Sequence, residues 1–416
     1  MSNYFELVEK IDENRLYSHI YNLQGIKHPI VAREALIDAY KYIITEFEKI
    51  GIEVIEEDFE IDGFDIPFKN IIGKLDLSNG TAGEVIISGH HDTVFNAPGA
   101  NDNASAVAIL IETARIMYEN QRLFRGNYRF VSFDLEEGNP TFQKDLWDLG
   151  KKYGITEKNT FTKLEYKKNY EKLFPVIYKS RNRASIESLR QKVKETRLSE
   201  NERGFYNSLA DYYSIFYKSE EWVGHLALLG SSHYVSQAKS QGRKIKGLIN
   251  IDTVGYTTDK KNSQTYPEGI PVNLLKLITK PILKSIPFLS KNFKTTGVKD
   301  VTVGDFASLL VDINSTTEAD LFMKNAKQVN LKVAAIYTEM DYTDIHEKMH
   351  DLLRADHAPF WREDIHAIFI SDSANFRFPH YHTGSDTIEH VDFDFVKKIA
   401  QASLLTLIAM AEENKI

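Results

Sequence analysis

The chain has 416 residues, 42% of them hydrophobic and 26% charged, with a formal net charge of −8, the balance of a globular protein rather than a disordered one. That length allows one large domain with an insertion, or two domains. The acidity argues against nucleic acid as a partner, and the lack of cysteine excludes disulfides and thiolate metal sites, so any metal must be held by His, Asp and Glu.

The N-terminal stretch MSNYFELVEKIDENRLYSHI is acidic and helical in pattern, without the basic start and apolar run of a signal peptide. No stretch reaches the roughly 18 apolar residues of a membrane span. The expectation is a soluble, cytoplasmic protein with no membrane partner. Leu36, Ala39, Tyr40, Ile43 and Ile44 recur near the helical period within the first 50 residues. Strands are expected at Glu53 to Ile61 and at Asn70 to Leu75. The apolar run from Gly83 ends at His90, as a buried central strand would. Asn103 to Tyr118 has helical spacing. Tyr128 to Asp134 reads as a strand leading into Glu136 and Glu137.

From about 141 to 224 the chain turns rich in Lys, Glu and Tyr with helical periods, a helical insertion. Strand character returns at Lys246 to Val254, Lys332 to Tyr337 and Ala367 to Ile370. An amphipathic helix from Phe393 to Glu413 closes the chain. Leu274 to Leu289 mixes apolar residues with lysines and suits a membrane or partner contact, but Pro281 and Pro287 favour a packed loop. Strands alternating with helices predict an α/β sheet protein.

Five segments carry residues able to do chemistry, lying at or near the ends of expected strands, where α/β sheets place their sites. His90 in Ser88-Gly-His-His-Asp92 is a ligand oriented by Asp92, or a strand-end histidine beside a solvated acid. Asp102 in PGANDNAS caps a helix, or bridges two cations. Glu136 and Glu137 form an exposed acidic turn, or one binds metal while the other moves a proton. Asp252 stands inside an apolar strand, where a carboxylate needs compensation. His382 is a ligand supported by Asp386, or one of two surface histidines.

Taken together, SGHHDTV, PGANDNASAVAIL, FDLEEG, ALLGSSHYV, INIDTVGY, RADHAPFW and HYHTGSDT resemble the family-28 metallopeptidases. These are zinc exopeptidases that include bacterial leucine aminopeptidases, glutamate carboxypeptidase II and the glutaminyl cyclases. The resemblance runs from about Val85 to Thr387. It implies a three-layer α/β domain with a mixed, mostly parallel central sheet. It also implies two Zn2+ ions (Mn2+ or Co2+ being chemically possible). His90 and Asp252 would hold one, Glu137 and His382 the other, and Asp102 both. Glu136 would be the general base, and Tyr381 would donate to the oxyanion. Asp356 would lie beside the site, with Arg354 reaching substrate. A cis peptide bond between Asp102 and Asn103 is also implied.

The chain departs from the family pattern in two ways. The 141–224 insertion separates the glutamate pair from Leu228-Leu229-Gly230-Ser231, and it begins so close to Glu137 that it is expected to form a lid over the pocket. Ala106 stands where a glycine is common. A competing motif, His346-Glu-Lys-Met-His350, matches the H-E-x-x-H pattern of another zinc-protease class, provided it forms one helix.

The function expected is aminopeptidase action on a peptide substrate. A carboxypeptidase or dipeptidase of the same family, a glutaminyl cyclase-like acyltransferase and a catalytically silent binding module are the alternatives.

Overall fold

A computed structural model describes residues 2–78, 83–178, 183–219, 223–267, 270 and 292–412. The expectation for Leu274 to Leu289 lies outside the described residues. The strands are β1 (Glu53–Phe59), β2 (Phe68–Asp76), β3 (Glu84–His90), β4 (Asn127–Phe133), β5 (Thr156–Glu157), β6 (Thr160–Phe161), β7 (Ile245–Ile251), β8 (Phe293–Thr296), β9 (Ala307–Val311), β10 (Val333–Tyr337) and β11 (Ala367–Ser371). Nine of them form one sheet in the order β1-β2-β4-β3-β7-β11-β9-β10-β8, and β5 and β6 pair as a small hairpin.

The sheet is mixed, as expected. Its centre, β4-β3-β7-β11, is parallel. β1 and β2 run antiparallel on one side, and β9 reverses direction against β11 on the other. Alternate side chains of the central strands enter two different cores, the period of two that a strand buried on both faces requires. Val85, Ile87 and Phe130 pack with the helices Arg33–Ile50, Ser105–Glu119 and Phe393–Glu412. Ile86, Val131 and Phe133 pack with Tyr234 and Val235 of the helix Leu229–Ser240 and with Phe360 and Trp361 of the helix Ala358–Arg362. The result is three layers with the sheet between. At Gly89 the first helical layer comes very close, since a Cβ there would lie 2.5 Å from the Cβ of Ala106. Two small residues therefore set the distance between β3 and the helix that starts at Ser105.

The segment 140–219 folds into four helices, Pro140–Lys152, Leu164–Tyr178, Arg183–Glu195 and Glu200–Ser219, with the β5–β6 hairpin. It has its own core of Ile155, Tyr166, Tyr170, Leu189, Phe205, Tyr206 and Leu209, separate from the two sheet cores. Its ends are clipped together: Asn139 donates its backbone N–H to Leu226 and its side-chain amide to His225.

Two expectations need correcting. Asp252 lies one residue beyond the end of β7 rather than inside the strand. The HEKMH segment is not one helix: the helix Tyr342–Lys348 stops, Met349 adopts φ −143°, and a 3-10 turn starts at His350. The short strands β8 and β9 were not expected from the sequence.

Candidate active site

The segments picked out by their chemistry meet at the carboxyl ends of the parallel strands. β3 delivers His90 as its last residue, and the turn after β4 delivers Glu136 and Glu137. Asp252 follows β7, and His382 sits in the loop after β11. Three non-glycine residues here have left-handed backbones: Leu135 at φ 53°, Thr253 at φ 50° and His382 at φ 56°. Such conformations are uncommon, especially for β-branched Thr, and persist only where the surroundings over-determine them. They turn the chain sharply at the three points where it must present a side chain inward. The Asp102–Asn103 peptide bond is cis.

Among the described residues the donor atoms form three groups, His90 with Glu136 and Glu137 and two others that share Asp102. In one of the two that share it, the His90 Nε2 lies 3.3 Å from Asp102 Oδ1 and 3.6 Å from Asp252 Oδ1. In the other, the His382 Nε2 lies 3.1 Å from Asp102 Oδ2 and 3.2 Å from Glu137 Oε2. Within each group all donor atoms fall inside 4.8 Å of one another. Asp102 thus turns one oxygen to each of these two. The helix that starts at Ser105 has no side-chain cap, so capping is not the role of Asp102. Glu136 stands to one side, its Oε2 3.9 Å from His90 Nε2.

Supporting contacts fix these side chains. Asp92 is buried and accepts the backbone N–H groups of Glu136 and Glu137, both at 3.1 Å. Its Oδ1 also lies 3.2 Å from His90 Nδ1, which leaves Nε2 to face the other acids. Asp386 does the same for the other segment, accepting the N–H groups of Asn101 at 2.9 Å and Asp102 at 3.1 Å. Asn103 ties this segment to β7: its amide donates to the Ile251 carbonyl at 3.0 Å and its oxygen accepts from Thr253 N–H at 3.3 Å.

The electrostatics follow from so many buried acids. Burial alone would lower His90, but Glu136, Asp102, Asp252 and Asp92 outweigh it and hold the imidazole well above its usual value. Burial pushes Asp102 up, yet its contacts with His382 and His90 win and hold it below the usual carboxylate range. Glu136 goes the other way. Burial raises it well above normal, His90 pulls back, and Glu137, Asp252 and Asp356 add to the rise. Asp356 is fully buried and pushed up to about 7, first by burial. Buried carboxylates in this number are stable only with positive charge among them. His90 Nε2, both Glu137 carboxylate oxygens and Asp252 Oδ1 make no hydrogen bond, although they are buried. That donor set of two imidazoles and three carboxylates, each group offering three protein ligands, suits two divalent ions such as zinc or manganese.

Of the remaining expected residues, Arg354 and Tyr381 lie together: Arg354 Nη2 donates to the Tyr381 hydroxyl at 3.4 Å. His346 and His350 do not join the site. Their rings lie 5.3 Å apart, both are half-buried, and among the described residues no cluster of three potential ligands includes them. Three residues escaped sequence reasoning: Asn101, Asn103 and Lys27. The two asparagines flank Asp102 and were visible as amides in PGANDNAS. Lys27 gave no signal, since its partners are 66 and more residues away except for the carbonyls of its own turn.

A model of peptidase family M28 matches residues 70–208 and 302–407, more than half of the chain. The chain belongs to peptidase family M28. The uncharacterized protein YfbL of Escherichia coli (strain K12) is 20% identical over 379 residues, covering 88% of this M28 chain and 78% of that protein. Among solved structures, the LapA aminopeptidase of Legionella pneumophila superposes with a TM-score of 0.54 at 14% identity, covering 98% of this chain and 74% of that one. The glutaminyl cyclase of Bacteroides thetaiotaomicron superposes with a TM-score of 0.52 at 15% identity, covering 96% and 98%. An aminopeptidase and a cyclase fit nearly equally well, so the likeness establishes the M28 fold and leaves the reaction to the site.

Proposed function

We propose that this M28 peptidase is a co-catalytic di-zinc exopeptidase that removes N-terminal residues from peptides. One observation carries the reading: two donor groups share Asp102, and Glu136, which forms a further group with His90 and Glu137, is needed in neither. His90, Asp102 and Asp252 would hold one ion, and Asp102, Glu137 and His382 the other. Once bound, the pair supplies Lewis acidity to the substrate carbonyl and acidifies the attacking water.

The chain's own groups do the rest. Glu136 takes a proton from the attacking water and passes it to the leaving amine, a role suited to a carboxylate that burial holds above its ordinary value. The Tyr381 hydroxyl accepts from Arg354, which directs its own hydrogen toward the developing oxyanion. Asp92 and Asp386 hold the ligand-bearing backbone against the pull of the ions. The surplus of carboxylates favours a substrate with a free α-ammonium over a blocked one.

The helical segment 140–219 supports a lid or wall role. It begins two residues after Gly138, which follows Glu137 with φ 152°. Phe95, three residues beyond Asp92, packs into its core against Trp147 at 6.1 Å and Tyr170 at 5.1 Å between ring centres.

The test is a panel of free and N-blocked peptides with the zinc-supplied protein, together with the metal content of the purified chain. Two ions per chain and cleavage from free N-termini alone are expected. Cleavage of N-blocked peptides overturns the aminopeptidase reading. One ion with cyclisation of N-terminal glutamine favours the cyclase, and a metal-free, inert chain favours a silent module.

A further inference from the structure

The turn that carries Glu136 and Glu137 is also held from behind, by groups that the proposed reaction does not use. Asp134 is the first residue after β4 and is fully buried. Its Oδ1 accepts the backbone N–H of Leu135 at 2.9 Å. Its Oδ2 accepts the N–H of Lys69 at 3.2 Å and the hydroxyl hydrogen of Tyr40. Burial first, then the charge of Asp134, holds the Tyr40 hydroxyl well above its usual value, so it remains a donor. Tyr40 in turn accepts from Arg33 Nη1 at 3.1 Å, and Arg33 Nη2 is fixed by the carbonyls of Ile66 at 3.1 Å and Pro67 at 2.9 Å. The Asp134 backbone is clamped as well. Its N–H donates to Asn70 Oδ1 at 3.2 Å, and its carbonyl accepts from Gly230 N–H at 3.0 Å.

We propose that Asp134 is the positioning residue of the general base: through Leu135 it sets the direction in which Glu136 points. The inference rests on the peptidase reading above and deepens it.

Leu135 is left-handed, at φ 53°. A non-glycine residue stays in that region only where its neighbours over-determine it. The Asp134 carboxylate supplies part of that constraint, since it binds the N–H of the strained residue itself. Glu136 comes next. Its own N–H goes to Asp92 at 3.1 Å, and its carbonyl accepts from Leu228 N–H at 3.2 Å. The Glu136 Oε2 lies 3.9 Å from His90 Nε2, too far for a hydrogen bond, so the side chain follows where the backbone aims it. Glu137 depends less on the turn, because its Oε2 also lies 3.2 Å from His382 Nε2 in a donor group. The chemistry calls for a carboxylate at 134. Three donors converge on its two oxygens, and an ionised carboxylate accepts at both without offering a hydrogen of its own. Burying that charge is costly, and the Tyr40–Arg33 chain brings a cation toward it.

The experiment is a double-substitution cycle on the full zinc-supplied chain, with the best-cleaved peptide of the panel above as substrate. Asp134→Asn keeps the size but turns an NH2 group toward donors. It should lower kcat about 10–100-fold, the scale of a catalytic group misplaced by up to an ångström, with KM within about 2-fold and zinc content unchanged. In the Glu136→Gln chain the same change should cost less than about 2-fold, because no base is left to aim. Tyr40→Phe leaves the carboxylate and removes one donor. It should lower kcat about 3–10-fold and be silent in Glu136→Gln in the same way, so it carries the test where Asp134→Asn does not fold. An equal loss with and without Glu136 makes Asp134 a residue of the fold alone and overturns the proposal. Loss of zinc, or a rise in KM that accounts for the fall in kcat/KM, overturns it too. A Glu136→Gln chain with full activity removes the base reading itself, and the positioning role with it.

Discussion

Two regions of this chain carry the residue types of a zinc protease, and they differ in nearly everything else. The HEKMH segment is contiguous in sequence. In space it is a short helix that ends at Lys348, a kink at Met349, two half-buried imidazoles and an exposed glutamate. The other region is scattered from residue 90 to residue 382, yet its donor atoms converge to within 4.8 Å in each group, on residues that are all buried except the half-buried Asp252. Asp92 and Asp386 hold its backbone, and left-handed turns aim its side chains. Spacing along a helix brings residue types near one another. A working site needs them framed from behind, and only the second region has a frame.

The largest expected effect separates the two regions directly. Glu136→Gln keeps size and shape but cannot carry a proton, so kcat should fall on the order of 10³-fold with zinc content unchanged. His350→Ala should leave both within error. Steady-state kinetics and metal analysis on the two variants are enough, and full activity in Glu136→Gln with loss in His350→Ala would reverse the comparison.

A smaller effect sharpens it by testing the frame alone. Asp386 touches no donor atom of the site. It accepts the N–H groups of Asn101 and Asp102 and is pushed up to about 7, by burial first and by the charge of Asp102 next. Asp386→Asn replaces one acceptor oxygen with an N–H donor that faces another donor. Zinc affinity should fall about 10–100-fold, the range seen when outer partners of a metal site are removed. Competition with a chelator of known affinity measures it. An unchanged affinity would mean that the convergence at Asp102 needs no support from behind.

Much of this was legible in sequence because burying a polar residue after an apolar run is costly and so conspicuous. β3 ending in His90 and β4 leading to the glutamate pair were read within one residue of their ends, whereas β7 stops at Ile251, three residues short of the expected Val254. The helical character of 140–219 was legible from its period. What could not be read depends on partners distant in sequence. β8 and β9 are four and five residues long and gain their pairing only from β10 and β11. The capping and bridging roles of Asp102 are identical in sequence and differ only in where its oxygens point. The break at Met349 defeats a motif whose letters are all present.

The smallest effect concerns two lysines, one under each region. Lys27 is fully buried beneath the converging acids, its Nζ donating to the carbonyls of Leu23 and Gly25 at 2.8 Å and of Pro98 at 3.4 Å. Burial lowers it from 10.5 to about 8, against the opposing pull of Asp386, Asp92, Asp102 and Glu137. Lys348 is exposed, and its bond to Asp344 raises it. Between about 8 and 10.5 the folded chain has released the Lys27 proton while the unfolded chain still holds one. The unfolded state binds more protons there, so stability rises with pH, by about 3 kcal/mol across the whole interval. Below that window the penalty of a charged, buried Lys27 is fully present and the slope from this residue vanishes. Urea midpoints of the chelated protein from pH 7.5 to 10.5 should therefore climb, and Lys27→Met should flatten the climb. Lys348→Met should leave it unchanged, because an exposed ion pair contributes little. Equal slopes in the parent chain and in Lys27→Met would mean that the cation under the acids is hydrated. The electrostatic difference between the two regions would then disappear.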